Sequence, residues 1–178
     1  MVSAVRPFEE KYKKSIPVIA AGGIYTGKDI DKFFRLGASG VQLGTRFVTT
    51  HECDASIKFK QTYIDASKED IVIIKSPVGM PGRAIRNDFI DDVNNGEKMP
   101  YKCPYHCLIP CDYQNTPYCI ALALFNAMKG NLKNGFAFAG QNAYRATEIM
   151  SVKEFIDSLK KEYQEAITES ATHNRVFA

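Results

Sequence analysis

Two short glycine-containing segments in the first third of the chain could bind an anion. The first, Ala20–Ile24, has the sequence AAGGI, and the second, Gly44–Arg46, has the sequence GTR. Because glycine lacks a Cβ, the backbone N–H groups beside it can approach an anion closely, and the Thr45 hydroxyl could add one hydrogen bond. Each segment follows a short apolar run that is typical of a strand. Two such loops in this order predict a phosphate site, and tight turns without a ligand are the alternative.

A second group of residues with chemical potential is a cluster of cysteines in the latter half of the chain. Cys103, Cys107, Cys111 and Cys119 lie close in sequence, with His106 among them. Thiolates bind zinc and iron–sulfur clusters, but this spacing matches neither the C-x2-C zinc pattern nor the common ferredoxin pattern. Intervening prolines oppose a helix that would bring three thiols to one face. We therefore assign no metal ligand and expect a packed loop of reduced thiols; a metal or cluster, redox chemistry and a disulfide are the alternatives.

A third candidate is the segment Ser76–Arg86, which is rich in glycine and proline. It carries Arg83 and Arg86, whose guanidinium groups could bind an anionic substrate or lie near a cofactor. Surface arginines on a loop and at the start of a helix are the alternative interpretation.

The elements around the glycine segments alternate between helices and strands. Buried strands are predicted at Ile16–Ala21 and Gly40–Gly44, which are short, mostly apolar runs. Helices are predicted at Ser3–Lys14, Gly27–Leu36 and about Asp54–Ser67. Thr26 is expected to cap the second helix and Gly37 to end it. Strands that alternate with helices indicate a parallel sheet, but two strands cannot close a barrel of about 250 residues, so we expect further βα units to be missing upstream.

The rest of the chain is predicted to be mostly helical outside one strand at Ile71–Lys75. Helices are predicted at Ala84–Val93, Tyr118–Lys129 and Val152–Glu169. The second of these is apolar nearly all round and is therefore expected to be buried, and Ser151 with Glu154 forms a capping box for the third. The segment Met99–Pro117, which contains the clustered cysteines, is predicted to be an irregular loop.

Bulk composition argues against several classes of function. The 178-residue chain has a net charge of +3 that is spread along the sequence, which does not favour nucleic-acid binding. No apolar run approaches the roughly 20 residues of a membrane span, and the N-terminus lacks the apolar stretch of a signal peptide. We expect a cytoplasmic protein that acts on a small molecule and binds neither nucleic acid nor membrane.

Several segments together resemble one enzyme family. Ile16–Ile24, Gly37–Ala38 and Val41–Phe47 resemble the nitronate monooxygenase (2-nitropropane dioxygenase) family, which includes the flavin-dependent enoyl-acyl-carrier-protein reductases. Lys75–Asn87 is similar to the segment that follows the barrel in this family. The resemblance covers roughly residues 3–95 and extends more loosely to residue 165.

The resemblance implies an α/β fold, namely the C-terminal part of a TIM (β/α)8 barrel (about its last two strands) plus a mostly helical C-terminal extension. Residues 1–70 would form the C-terminal βα units of an FMN-binding barrel, and residues 71–178 a post-barrel strand, loop and helical cap region. FMN is the implied cofactor. Its phosphate would be held by residues of the two glycine segments and the strand ends before them: Ala21, Gly22, Gly23, Gln42, Gly44 and Thr45.

The implied function is an FMN-dependent oxidoreductase (a flavoprotein) of the nitronate monooxygenase or enoyl reductase type, present as a C-terminal fragment whose activity alone is in question. None of His51, His106 and His173 corresponds to the family's catalytic histidine, so the catalytic residues are expected in the missing N-terminal half. The alternatives are a phosphate-binding barrel enzyme without flavin, similar to inosine-monophosphate dehydrogenases, and a non-catalytic fragment that acts by association. Exposed strand edges favour a homo-oligomer or another such association.

Overall fold

A computed structural model describes residues 1–97, 103 and 106–176, with side chains described as far as residue 169. The strands are β1 (Ile19–Ala21), β2 (Gly40–Gln42), β3 (Ile71–Lys75) and β4 (Pro81–Ile85). The helices are α1 (Val2–Tyr12), α2 (Gly27–Arg35), α3 (Thr45–Val48), α4 (Ile57–Asp65), α5 (Asp88–Asn94), α6 (Ile120–Met128) and α7 (Val152–Val176). Within these ranges, no helix combines the length and the apolar character that crossing a membrane requires.

The chain divides into two compact units. Unit 1 combines Met1–Phe47 with the segment that starts at Met150, and unit 2 is the continuous segment Val48–Ile149. The predicted division near residue 70 refers to the βα units of a larger barrel, and it stays a prediction.

In unit 1, β1 and β2 form a two-stranded parallel sheet, as the alternation of strands and helices predicted. β1 begins at Ile19 rather than at Ile16. Pro17 has no N–H to donate to a ladder, and the N–H of Val18 is bonded to the hydroxyl of Ser39 (3.3 Å) instead of to a strand. The apolar run is therefore longer than the strand it contains.

The prediction that both strands are buried on two faces is wrong. Ile19 is 53% exposed, Ala21 is exposed too, and β2 is half-buried at Gly40 and exposed at Gln42. Each strand of a two-stranded sheet has only one neighbour, so the apolar side chains lack the cover that a larger parallel sheet provides.

The helix between the two strands, α2, has the ends that its sequence predicts. The Thr26 hydroxyl accepts from the Asp29 N–H (3.2 Å), and the Asp29 carboxylate accepts from the Thr26 N–H (2.9 Å), which completes a capping box. At the other end Gly37 is left-handed, with φ of 90°, and its N–H bonds the carbonyl of Phe34 (2.9 Å). The N–H of Ala38 bonds the carbonyl of Phe33 (3.0 Å), and the two bonds together form a Schellman motif.

The long terminal helix α7 packs against α2 and supplies the core of unit 1. Its predicted capping box is present, because the Glu154 carboxylate accepts from the Ser151 N–H (2.8 Å) and the Ser151 hydroxyl accepts from the Glu154 N–H (3.1 Å). The helix continues to Val176, beyond the predicted end at Glu169. Phe155, in the first turn of this helix, is fully buried.

In unit 2, the prediction of a helix over Ala84–Val93 is wrong. The first part of this segment belongs to β4, which pairs antiparallel with β3 so that Ile71 lies opposite Ile85, and α5 begins only afterwards. A second neighbour stabilises β4, since the Ile85 N–H donates to the carbonyl of Ala137 (3.0 Å). The two neighbours bury apolar side chains of β4. A helix over the same residues would direct these side chains away from those neighbours.

The helix α6 is only partly buried, although its sequence is apolar nearly all round. Leu122 and Phe125 are 47% and 55% exposed, whereas Ala123 and Ala127 are buried. A Cβ added at Gly135 would overlap the carbonyl oxygen of Ala123. The backbone at Gly135 therefore lies directly against the side of α6 that carries Ala123 and Ala127. In the predicted loop Met99–Pro117, the described residues 103 and 106–117 contain no helix or strand, and the others lie outside the described residues.

Candidate functional site

The two glycine segments leave the same edge of the parallel sheet. Ala21 is paired with Gln42, the last residue of each strand. Neighbouring strands are about 4.8 Å apart, so the Gly22–Gly23 turn and the Leu43–Gly44 turn start side by side. The carboxyl ends of parallel strands are the usual place for ligands in α/β folds.

The backbone at these turns has the conformation and the open space that close approach to an anion requires. Gly22 and Gly23 are left-handed, with φ of 82° and 73°. A Cβ added at Gly22, Gly23 or Gly44 would meet no atom within 4 Å, so the space beside each glycine is open. A phosphate group therefore fits here sterically, and a side chain at any of the three positions would enter the space that it needs.

The structure places all six predicted FMN-contact residues at this one edge. Ala21 and Gln42 end their strands and are exposed, the three glycines form the turns, and Thr45 is the first residue of α3 and half-buried. Their predicted role as phosphate contacts stays a prediction. We call this group of residues the glycine edge.

Arg46 fixes the backbone beside the glycine edge, a role that the sequence did not predict. Its Nη1 donates to the carbonyl oxygen of Tyr25 (2.9 Å), which directly follows the first glycine segment. The guanidinium lies 4.9 Å from the centroid of the Tyr25 ring and 4.5 Å from that of the Phe155 ring. Only 12% of the Arg46 side chain is exposed. Stacking and hydrogen bonding together hold this arginine in one position.

Glu162 on α7 links both glycine segments. One carboxylate oxygen accepts from the N–H of Gly27 (2.7 Å), at the start of α2, and the other lies 3.8 Å from Nη1 of Arg46. The α2 start follows the first segment, and Arg46 belongs to the second. A single carboxylate thus connects the chain after β1, the chain after β2 and the terminal helix.

The other residues considered for chemistry lie in different settings. Arg86 is bonded to the Asp91 carboxylate (2.9 Å), which raises the pKa of the exposed guanidinium and matches the interpretation of a surface arginine. Arg83 is exposed on β4, and His51 is exposed next to the buried Thr50. The side chain of His173 lies outside the described residues.

The cysteines are all free thiols in the structure, including Cys53, which lies outside the cluster. Within the described part of the chain, no group of three or more His, Cys, Asp or Glu side chains is arranged as metal ligands.

Comparison with known proteins identifies a family over most of the chain. The family model described as nitronate monooxygenase matches residues 1–162. A probable nitronate monooxygenase from Staphylococcus saprophyticus is 34% identical over 152 residues, which is 85% of this chain and 40% of that protein. A probable nitronate monooxygenase from Staphylococcus aureus (strain Newman) is 42% identical over 83 residues, which is 47% of this chain and 23% of that protein.

Solved structures support the same relationship. FabK from Thermotoga maritima superposes with a TM-score of 0.72 at 30% identity, over 92% of this chain and 49% of that protein. Nitroalkane oxidase from Streptomyces ansochromogenes superposes with a TM-score of 0.65 at 27% identity, over 89% of this chain and 42% of that protein. The chain thus spans less than half the length of each relative named here. Because the family model and the S. saprophyticus relative both cover most of it, the chain belongs to the nitronate monooxygenase family, a family of oxidoreductases.

Proposed function

We propose that this chain binds the phosphate of FMN at the glycine edge and forms part of an FMN-dependent oxidoreductase of the nitronate monooxygenase or enoyl reductase type. The observation that carries the proposal is the pairing of two glycine turns at the carboxyl ends of adjacent parallel strands, with open space beside Gly22, Gly23 and Gly44. In this proposal β1 and β2 correspond to about the last two strands of a (β/α)8 barrel. A cytoplasmic location is part of the proposal.

Binding and positioning are the tasks proposed for the residues of this chain. FMN, when bound, supplies the redox chemistry. The backbone N–H groups beside the glycines and the Thr45 hydroxyl would donate to the phosphate oxygens. Arg46 is assigned a positioning role, because its guanidinium already bonds the Tyr25 carbonyl and stacks on two rings. No residue of this chain is assigned as the catalytic base, and the activity and substrate of the whole enzyme are part of the proposal.

Replacing Gly44 with alanine is expected to weaken FMN binding by roughly 10- to 100-fold. This is the change in affinity that the loss of one hydrogen bond to a charged group produces. The added methyl group meets no protein atom, so the fold is expected to be unchanged. It would instead occupy the space proposed for the phosphate. Titration of FMN with wild-type and variant protein, followed by quenching of flavin fluorescence, measures the effect.

The matched control is Gly40→Ala, at the start of the strand β2 that leads to the Gly44 turn. There the added Cβ would lie 3.0 Å from Cδ1 of Ile19, the flexible end of an exposed side chain, so FMN affinity is expected to stay close to wild type. Failure of the wild-type chain to bind FMN would overturn the proposal for this chain. Binding of inorganic phosphate without FMN would favour a phosphate-binding enzyme that lacks flavin.

We also propose that the chain associates with itself through the sheet of unit 1. Ile19 and Ala21 present an exposed apolar surface on a strand that, in the described residues, is paired with β2 alone. Size-exclusion chromatography with light scattering is expected to give a mass above that of one chain, and Ile19→Lys to reduce it, because lysine on an edge strand opposes pairing. Leu36→Lys, at an exposed apolar site after α2, is the control. A monomeric wild-type chain at micromolar concentration would contradict this proposal.

A further inference from the structure

The four clustered cysteines line one cavity of about 230 Å³ in unit 2. Cys103, Cys111 and Cys119 are half-buried and Cys107 is exposed, and none of them is in a disulfide. His106 also lines the cavity, and the other lining residues are apolar or aromatic. The spacing of the four cysteines did not predict a shared cavity. Prolines between them oppose the helix that would have brought the thiols to one face. The fold itself brings the four thiols to one place.

Local structure on both sides of the cavity holds the thiols there. The Cys111 N–H donates to the carbonyl of Leu108 (3.1 Å), which closes a turn. His106 is left-handed, with φ of 45°, and its ring meets the Tyr113 ring edge-on at 4.1 Å, so the two ends of the turn are in contact. Cys119 is the N-cap residue of α6, so the start of that helix fixes the position of the fourth thiol.

All four thiols border the same space, so a metal cation inside the cavity would have several sulfur ligands beside it. Such a cation attracts thiolates and removes the proton from a coordinating thiol.

We propose that Cys103, Cys107, Cys111 and Cys119 form a binding site for a thiophilic metal, either a zinc ion or an iron–sulfur cluster. Each coordinating thiol releases its proton to solvent and donates a sulfur lone pair to the metal. Among the described residues, no group of three such side chains is already arranged as metal ligands, so the proposal requires the cysteine side chains to reorient within the cavity when the metal binds. This site is separate from the proposed function and requires no flavin.

Two measurements test the site on the full chain. Protein purified under anaerobic and reducing conditions is analysed for zinc, iron and acid-labile sulfide, and metal-free protein is titrated with Co²⁺. We expect about one equivalent of zinc, or iron together with sulfide; the latter identifies a cluster. We also expect Co²⁺ to give the intense visible bands of tetrahedral thiolate coordination and Zn²⁺ to displace it.

Variants separate coordination from a general effect on the fold. Loss of a residue that only hydrogen-bonds a metal ligand typically weakens metal binding roughly 10- to 100-fold. Cys107→Ser and Cys111→Ser each remove a proposed ligand, so we expect them to weaken metal binding by more than this. Cys53→Ser, which changes the one cysteine outside the cluster, is expected to leave binding unchanged. Circular dichroism checks that each variant is folded, and the wild-type titration does not depend on any variant.

Three results would overturn the proposal. The first is the absence of zinc, iron and Co²⁺ binding in the reduced wild-type chain. The second is metal binding that survives replacement of all four clustered cysteines by serine. The third is a disulfide between two of them that persists in metal-containing protein under reducing conditions, since paired sulfurs cannot act as thiolate ligands.

Discussion

Replacing Gly27 with alanine is expected to destabilise unit 1 by about 3 kcal/mol or more, at the upper end of the cost of overpacking. The added Cβ would overlap the backbone nitrogen of Tyr163 and lie 2.5 Å from the carbonyl carbon of Glu162. These are backbone atoms of α7 and cannot rotate away, so α2 and α7 would have to separate. Separation would also break the hydrogen bond from the Gly27 N–H to the Glu162 carboxylate.

Urea-induced unfolding followed by far-ultraviolet circular dichroism measures this loss, and the method suits a chain without tryptophan. The matched control is Gly44→Ala, also in unit 1, where the added Cβ meets no atom within 4 Å. Its free energy of unfolding is expected to lie within about 0.5 kcal/mol of wild type. A Gly27→Ala protein as stable as the control would show that the two helices are not packed as closely as described.

Replacing Phe155 with alanine is expected to cost about 3–5 kcal/mol, the usual range for a buried phenylalanine. The ring is fully buried, meets the Phe47 ring edge-on at 4.8 Å, and lies 4.5 Å from the Arg46 guanidinium. The variant therefore loses core volume and also one of the two rings that hold Arg46. We expect weaker FMN binding to accompany the loss of stability, because Arg46 positions the glycine edge.

The control for this variant is Phe125→Ala on α6, where the ring is 55% exposed. That substitution is expected to change stability by no more than about 0.5 kcal/mol. Phe155→Leu should recover part of the stability, since it restores apolar volume. Equal effects of Phe155→Ala and Phe125→Ala on the urea midpoint would contradict the assignment of Phe155 to the core.

The helix ends of unit 1 could be predicted because their signals are local. Thr26 and Asp29 are three residues apart, and Gly37 directly follows the helix that it ends. Such short-range patterns specify capping with little dependence on the rest of the fold. The positions of the two glycine turns could be predicted for the same reason, since each turn follows its strand immediately.

The hairpin in unit 2 was missed because apolar content alone does not distinguish a short strand from a helix. Ala84–Val93 has enough apolar residues for a helix, yet its start is a strand because Ile71 and Ala137 lie on either side of it. Strand propensity depends on such neighbours more than on the sequence of the strand itself. A useful signal was present, however: an apolar run on each side of a short segment that contains Pro77 and Gly79 is typical of a hairpin.

The support around the glycine edge was missed because its partners are far apart in the chain. Arg46 is 112 residues from Ser158, with which it shares a contact at 3.5 Å, and Gly27 is 135 residues from Glu162. No spacing rule connects positions at such separations. The sequence predicted the two turns that we propose as a phosphate site, but not the helix that holds them in place.

The discontinuity of unit 1 has a consequence for the order in which the protein can fold during synthesis. Unit 2 is continuous, so all of its contacts are available once Ile149 has left the ribosome. The first 47 residues must wait for α7, since Phe155 and Glu162 are parts of their core and hydrogen-bonding network. Contacts between such distant segments form slowly, because a long loop must close first. During that interval the apolar residues of α2 lack the cover of α7, a condition that favours association between incompletely folded chains.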